Sequence, residues 1–575
     1  MKHAFSLTCR LVLGLVLQVV AMPAAQAQAP AWQTAVGTAG TSISVRAAAA
    51  NANDEVLVVG DFANTATFGT TTLTSTGTAN DGFVAKWSNS AGRFVWAQQI
   101  SGTAGGEYVQ SVVVSGTAIY IGGIFTGRNA SIGTTFLNNA DTFGNSDLFV
   151  AKLTDAGTSS SFGWAYRAGG QGSEELAGLA VSGSGVYAAG TFRGATTTLG
   201  SISLSNASSS GSNIFVTKLT DAGATASFTW AQQAGGSTGA DLVKAVAASG
   251  TSVYIAGQYS GTTTRFGSTL LPNAGNSDLF VAKLTDGGST AGFTWAQYAG
   301  GTGFEAVNAV AVEGTNVYLT GQFGSPTLAI GNSSLTNAGS LDLFVARLTD
   351  AGNAGSFAWG QQAGGSGAEV GNALAVHGPN VYVTGYFDSP AALFSSTTLS
   401  TTGQADVFLA KLTDAGSAAP FDWAQQAGGP SRDAGTAVVL QGARLYVAGS
   451  FDSPAISFGL LSLTRPGTST GFFLASLTDV VLSSGTPALS SGAIAVFPNP
   501  ARTTVSVMLP AWPGLARATL VLLDGLGRVV RTEQVALLAP DMRHELSVAG
   551  LPAGLYVLRI VAGPATATRS LAVER

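Results

Sequence analysis

Seven near-copies of one phrase constrain this chain more than any other feature. The phrase is Trp-Ala-Gln-Gln-Ala-Gly-Gly or a close variant, and its tryptophan stands at Trp32, Trp96, Trp164, Trp230, Trp295, Trp359 and Trp423. After each comes a strand-like run ending in glycine (Gly60, Gly123, Gly190, Gly257, Gly321, Gly385, Gly449). Then follows a run centred on Phe83, Phe149, Phe215, Phe280, Phe344, Phe408 and Phe473. Each landmark recurs every 63 to 68 residues, and a fixed period of that size calls for supersecondary units that are stacked or arranged radially. The first copy is displaced, because only its final phrase opens the series.

One period reads as four short strands. In the copy from Ala245 to Gln297 these are Ala245–Ala248, Val253–Gly257, Asp278–Leu284 and Phe293–Gln297, separated by Gly, Asn, Asp and Ser. Such runs predict a single antiparallel meander. Asp-x-Gly turns (Asp155, Asp221, Asp286, Asp350 and Asp414 with the glycine two residues on) separate the third and fourth strands, and the turn role accounts for these aspartates. With 46% hydrophobic and 10% charged residues, the composition is β-rich and long helices are not expected. The expected fold is all-β: a seven-bladed β-propeller, with a β-solenoid as the weaker reading. Small inner strands such as Ala309–Val312 suit the crowded centre. The periodic tryptophans, and the tyrosines at Tyr120, Tyr187, Tyr254, Tyr318, Tyr382 and Tyr446, are expected to pack between blades, sugar stacking being the sharper alternative. The last copy lacks its tryptophan strand, so the strand around Trp32 is expected to complete that blade and close the ring, removing two exposed edges.

Residues 1–27 read as a secretory signal: Lys2 and Arg10, an apolar stretch from Leu11 to Ala21, and a small-x-small cleavage pattern at Ala25-Gln26-Ala27. The only cysteine, Cys9, lies within it, so the mature chain is expected to have no disulfide, no thiol nucleophile and no thiolate metal site. No other segment is apolar for long enough to cross a membrane as a helix. A formal net charge of −5 offers no basic face for nucleic acid. The domain reading is therefore 1–27 signal peptide, 28–480 propeller, 481–492 linker of Ser/Gly/Pro/Ala composition, and 493–575 a small Ig-like β-sandwich built around Asp-Gly and Pro-Ala-Gly turns.

Two resemblances add to this. Val381-Tyr382-Val383-Thr384-Gly385 and Asp406-Val407-Phe408-Leu409-Ala410-Lys411-Leu412 carry a pattern that resembles a family of bacterial secreted β-propeller repeats, which implies a fold and an extracellular setting but no fixed chemistry. At the C-terminus three motifs occur in order: Val496 to Ala501 with Pro498, Asn499 and Pro500; Leu522 to Val530 with Asp524 and Gly527; and Leu551 to Ile560 with Leu551, Pro552, Gly554 and Tyr556. Together they resemble the type A C-terminal sorting domain of type IX secretion. That resemblance implies a Gram-negative bacterium, the type IX machinery as partner, and a product released or held at the outer cell surface.

For chemistry, the sequence offers one acid in the connection after every outer strand except the one at Trp32: Glu107, Glu175, Asp241, Glu305, Glu369 and Asp433. Six carboxylates near the mouth of a ring could bind Ca²⁺ or a cationic partner; the competing reading is that each caps backbone N–H groups. No other cofactor is expected. The periodic cations Lys86, Lys152, Lys218, Lys283, Arg347 and Lys411 read as solvated or paired strand residues. Glu174 and Glu175 are adjacent, the wrong geometry for the opposed carboxyls of glycoside hydrolysis. After signal removal His377 and His544 alone remain, so no Ser-His-Asp or His-metal site can be assembled in the repeats. The expectation is a non-enzymatic exported propeller that binds a glycan, polymer or protein through its loop face, the alternatives being an exported carbohydrate-active enzyme or a structural component of the surface layer.

Overall fold

The computed structural model describes residues 28–141, 144–206, 211–465, 467, 469–479, 494–509, 517–524, 528–536, 542–562 and 565–574. The expected signal peptide (1–27) and linker (481–492) lie outside the described residues. The chain divides into two compact units, Met1–Asp479 and Val480–Arg575. Both are built from strands, and no described helix is long and apolar enough to cross a membrane.

The first unit is propeller-like. Among the described residues its strands pair as seven antiparallel meanders, five of them separate four-stranded sheets and two extended by outer hairpins into a seven-stranded and a six-stranded sheet; Glu305–Glu313, Asn316–Phe323, Asp342–Asp350 and Gly355–Ala363 are one of the five. In the last of the seven, Asp433–Gln441, Arg444–Phe451 and Gly471–Thr478 are joined by Trp32–Val36, with Thr34 opposite Ser476 and Val36 opposite Leu474. The displaced first phrase thus pairs with the chain's final repeat. The first strands of successive meanders adjoin one another in sequence order, and Ala39–Ala50 touches both Glu107–Ser115 and Asp433–Gln441.

Alternation explains the burial. In Asn316–Phe323 and Asp342–Asp350 both faces meet a neighbouring sheet, so Val317, Leu319, Leu343, Val345 and Leu348 are all buried, as strands covered on both faces require. Six first strands carry a β-bulge after their third residue, as at Val307/Ala309 and Val243/Ala245, and Ala39–Ala50 carries its own at Gly40/Ser42 and Val45/Ala47. The bulge drives backbone against the end of the second strand, which is why glycine stands there: a Cβ on Gly321 would overlap the carbonyl oxygen of Ala306. The Ser/Thr-rich excursions form small outer hairpins such as Thr327–Ile330 with Ser333–Thr336.

The second unit has a three-stranded sheet (Val496–Phe497, Thr504–Leu509, Met542–Ser547) and a four-stranded one (Val529–Ala536, Arg517–Leu523, Gly554–Ala562, Ala565–Val573). One apolar core joins them, with Val505, Val507, Leu520, Leu558, Ile560 and Leu571 buried in it. Asn499 ties its first motif to the last strand: its Nδ2 donates to Ser570 O (2.8 Å) and its Oδ1 accepts from Ala572 N (2.8 Å). Asp524 accepts from Arg528 N (3.0 Å) and Nε (2.8 Å), and Tyr556 Oη donates to Pro552 O (2.8 Å). These bonds give Asn499, Pro552, Tyr556 and Asp524 their structural reason. Gly527 lies outside the described residues.

Candidate functional site

The periodic aromatic, lysine and turn residues converge on one another. Tyr254 Oη (2.6 Å) and Lys283 Nζ (2.6 Å) donate to Asp350 Oδ2, while Trp295 Nε1 (3.1 Å) and Gly352 N (2.9 Å) donate to Oδ1. Three of these donors come from one meander and the aspartate from the end of the next meander's third strand. The same latch recurs at Asp221, Asp286 and Asp414. The turn reading of these aspartates therefore covers half of their role. Trp96, Trp164, Trp230, Trp295 and Trp359 are buried and bonded to the turn aspartates, which leaves them no ring face for sugar stacking. Lysine and tyrosine donors hold the Asp350 carboxyl below the usual range against the opposing cost of its burial, which is the largest single influence on it. Lys86 is fully buried, between Glu55 (3.0 Å) and Asp155 (2.8 Å), so it is not a solvated residue.

The acids predicted at a ring mouth lie instead at the buried junctions between meanders. Glu107, Asp241, Glu305, Glu369 and Asp433 are all fully buried. At the junction assigned to Glu175 the buried acid is its neighbour Glu174, and Glu175 is exposed; strand alternation sends the two side chains to opposite sides. Three acids cap backbone: Glu305 accepts from Gly301 N (2.9 Å) and Ser325 N (3.0 Å), Asp241 from Gly236 N (2.8 Å), and Asp433 from Ser453 N (3.2 Å) and Oγ (2.8 Å). Of the other three, Glu107 has both carboxylate oxygens without a hydrogen-bond partner among the described residues, whereas Gly170 and Thr197 at Glu174, and Ser389 and Gly365 at Glu369, hold those carboxyls down against the cost of burial. Each of these three faces the aspartate that opens the preceding third strand: Asp81, Asp147 or Asp342. Burial, reinforced by Asp81 or Asp147, pushes Glu107 and Glu174 up to about 8; burial pushes Glu369 up to about 7.

The bulges build a different ring, which sequence reasoning missed. Their extra residues are Arg46, Gln110, Ala177, Lys244, Asn308, Asn372 and Thr436. A signal was present, because six of them stand three residues after a junction acid, and most are polar in an otherwise apolar strand. Asn308 and Asn372 donate to carbonyls of the next first strand, Gly371 O and Gly435 O (2.9 Å each). On the opposite arc the side chains leave a cavity of about 230 Å³ lined by Arg46, Gln110, Glu175, Leu176, Ala177, Val243 and Lys244. Four successive meanders contribute to it. Arg46 is shared between Asp61 (2.5 Å) and the face of Tyr108 (5.2 Å), whereas Lys244 has no ion-pair partner among the described residues. The cavity can hold an anionic polar group between two cations and beside one carboxyl.

Residues 495–574 match the family model of the secretion system C-terminal sorting domain. That match directs the protein through type IX secretion to the cell surface or the extracellular space. A comparison with curated proteins finds no match to this chain. Similar solved structures include Trypanosoma rangeli sialidase in complex with sialic acid (10% identity, 96% of this chain and 88% of that one, TM-score 0.32). A phage phi92 endosialidase (10%, 94% and 87%, TM-score 0.32) and Drosophila Plexin A in complex with Semaphorin 1b (7%, 78% and 88%, TM-score 0.33) also align. Likeness at that level carries no mechanistic argument. The expectation of a non-enzymatic binding protein is nevertheless corrected, since sialidases and an endosialidase, all enzymes, stand among these structures; the carbohydrate-active alternative goes forward on the cavity's own chemistry.

Proposed function

We propose that this chain is an exported carbohydrate-active enzyme: a seven-bladed β-propeller, closed by its N-terminal strand, that acts on an acidic saccharide in the cavity at the centre of its first four blades. Closure is supported by the pairing of Trp32–Val36 with Gly471–Thr478 and by the contact of Ala39–Ala50 with the first strands on both sides. One observation carries the activity: Glu175 lines the same cavity as Arg46 and Lys244. The unpaired Lys244 ammonium and the half-exposed Arg46 guanidinium would hold the sugar carboxylate. Glu175 is the proton donor and acceptor beside it. As the glycosidic C–O bond breaks, the Glu175 carboxyl protonates the leaving oxygen; water then adds to the anomeric carbon and returns a proton to Glu175.

The test is a hydrolysis screen of the purified exported chain on sialylated and uronate-containing glycans, with Glu175→Gln and Lys244→Met as variants. The proposal expects turnover that Glu175→Gln abolishes, and a raised KM with kcat retained for Lys244→Met. Turnover unchanged in Glu175→Gln, or no turnover of any acidic glycan, would overturn it.

A further inference from the structure

The junction between the first and second meanders differs from the others in a way that the cavity does not explain. Where the acid caps backbone it also has a hydroxyl residue after the second strand of its own meander: Ser325 for Glu305, Ser453 for Asp433 and Thr264 for Asp241. At Glu107 the place of Ser325 and Ser453 is taken by Gly127, so that hydroxyl is missing. Both Glu107 carboxylate oxygens are unpartnered among the described residues although the side chain is fully buried. The facing acid is Asp81, also buried. Its hydrogen bonds come from neutral donors, Thr76 N (3.1 Å), Thr76 Oγ1 (3.2 Å) and Gln99 Nε2 (2.5 Å).

A comparison within the molecule isolates this junction further. At the next one Glu174 also lacks a serine cap, with Gly194 in its place, but Arg167 donates to Asp147 (2.6 Å). The residue in register with Arg167 is Gln99. The first junction thus keeps two buried carboxyls with no basic side chain in ion-pair distance of either among the described residues. Burying such a pair ionised is costly unless a cation joins it.

We propose that Asp81 and Glu107 bind one divalent cation of the calcium class between the first two meanders. The donor set is all oxygen, which selects a hard cation over a thiophilic or imidazole-seeking one. Two carboxylates match its charge. No cluster of three or more His, Cys, Asp or Glu side chains occurs among the described residues, so backbone carbonyls and water complete the shell. That poor ligand charge count sets the affinity in the range of extracellular modules, Kd about 0.1–1 mM. The site ties Asp81 of the first meander to Glu107 of the second.

The experiment titrates Ca²⁺ into the EGTA-treated full chain by calorimetry and follows thermal unfolding alongside. The proposal expects one equivalent bound and a raised Tm, both lost in Glu107→Gln and both kept in Glu305→Gln. Because the amide of Glu107→Gln preserves shape without charge, that variant is expected to fold. No Ca²⁺ bound by the wild type, or unchanged binding in Glu107→Gln, would overturn the proposal and leave a shared proton as the resolution of the pair.

Discussion

Asp350→Ala tests the inter-sheet latch most severely. The substitution strips four donors of their acceptor: Tyr254 Oη, Lys283 Nζ, Trp295 Nε1 and Gly352 N. Lys283 is only 7% exposed, as the ion pair now stands, so the ammonium is left as an uncompensated buried charge, which costs about 3–5 kcal/mol. The orphaned Tyr254 hydroxyl and Trp295 N–H would each add about 1–3 kcal/mol if water could not reach them. Partial hydration through the vacated side chain reduces this, so the expected loss is about 4–6 kcal/mol. Urea unfolding followed by tryptophan fluorescence measures it. Adding Lys283→Met to Asp350→Ala should recover at least about 2 kcal/mol, since it removes the stranded charge. A loss below about 1 kcal/mol for Asp350→Ala, or no recovery in the double variant, would refute the latch as a source of stability.

The remaining expectations concern pH, closure and export. Glu107 and Glu174 are raised in the folded state to about 8 from 4.5, so the unfolded chain releases their protons first. In Ca²⁺-free buffer stability should therefore fall as pH rises from 4.5 to 8; a flat profile over that window contradicts the reading. Asp350 has the opposite sign: its folded value is depressed below 3.8, so its contribution is complete above 3.8 and is lost as pH falls through the lowered value. Deleting Trp32–Val36 uncovers the edge of Gly471–Thr478 and should produce concentration-dependent association in sedimentation, monomeric behaviour being the contrary result. Asn499→Ala removes both bonds to the last strand of the C-terminal unit and should reduce the amount of protein at the cell surface by immunoblot; undiminished export would deny the motif its structural role.

The repeat was legible because periodic residues serve periodic contacts. Trp295, Tyr254 and Lys283 recur since each meander must grip the next, and their spacing alone announced four strands per unit. What the spacing could not convey was the partner: Asp350 has the local signature of a turn, and its second role exists only once the next repeat lies alongside. The acids illustrate the same limit at finer scale. Glu174 and Glu175 are neighbours in sequence, and a single step of strand alternation decides which is buried and which lines the cavity. Arg46 and Lys244 were hidden by the bulges, which break the two-residue period that assigns faces. The pairing of Trp32–Val36 with Gly471–Thr478 is a third case. Ser476 stands where other repeats carry lysine, Trp32 Nε1 has no partner among the described residues, and Tyr446 bonds Asp54 instead (2.7 Å). A truncated copy revealed the pairing, and its departures from the repeat show which meander is least latched.

The central claim is that an acidic saccharide is held and turned over at the cavity formed by the bulged strands. A crystal structure of Glu175→Gln with an acidic oligosaccharide tests it most directly. The account predicts the sugar carboxylate between Arg46 and Lys244, with its glycosidic oxygen in hydrogen-bond reach of residue 175. Sugar bound only on the outer hairpins, with the cavity filled by water alone, would contradict it.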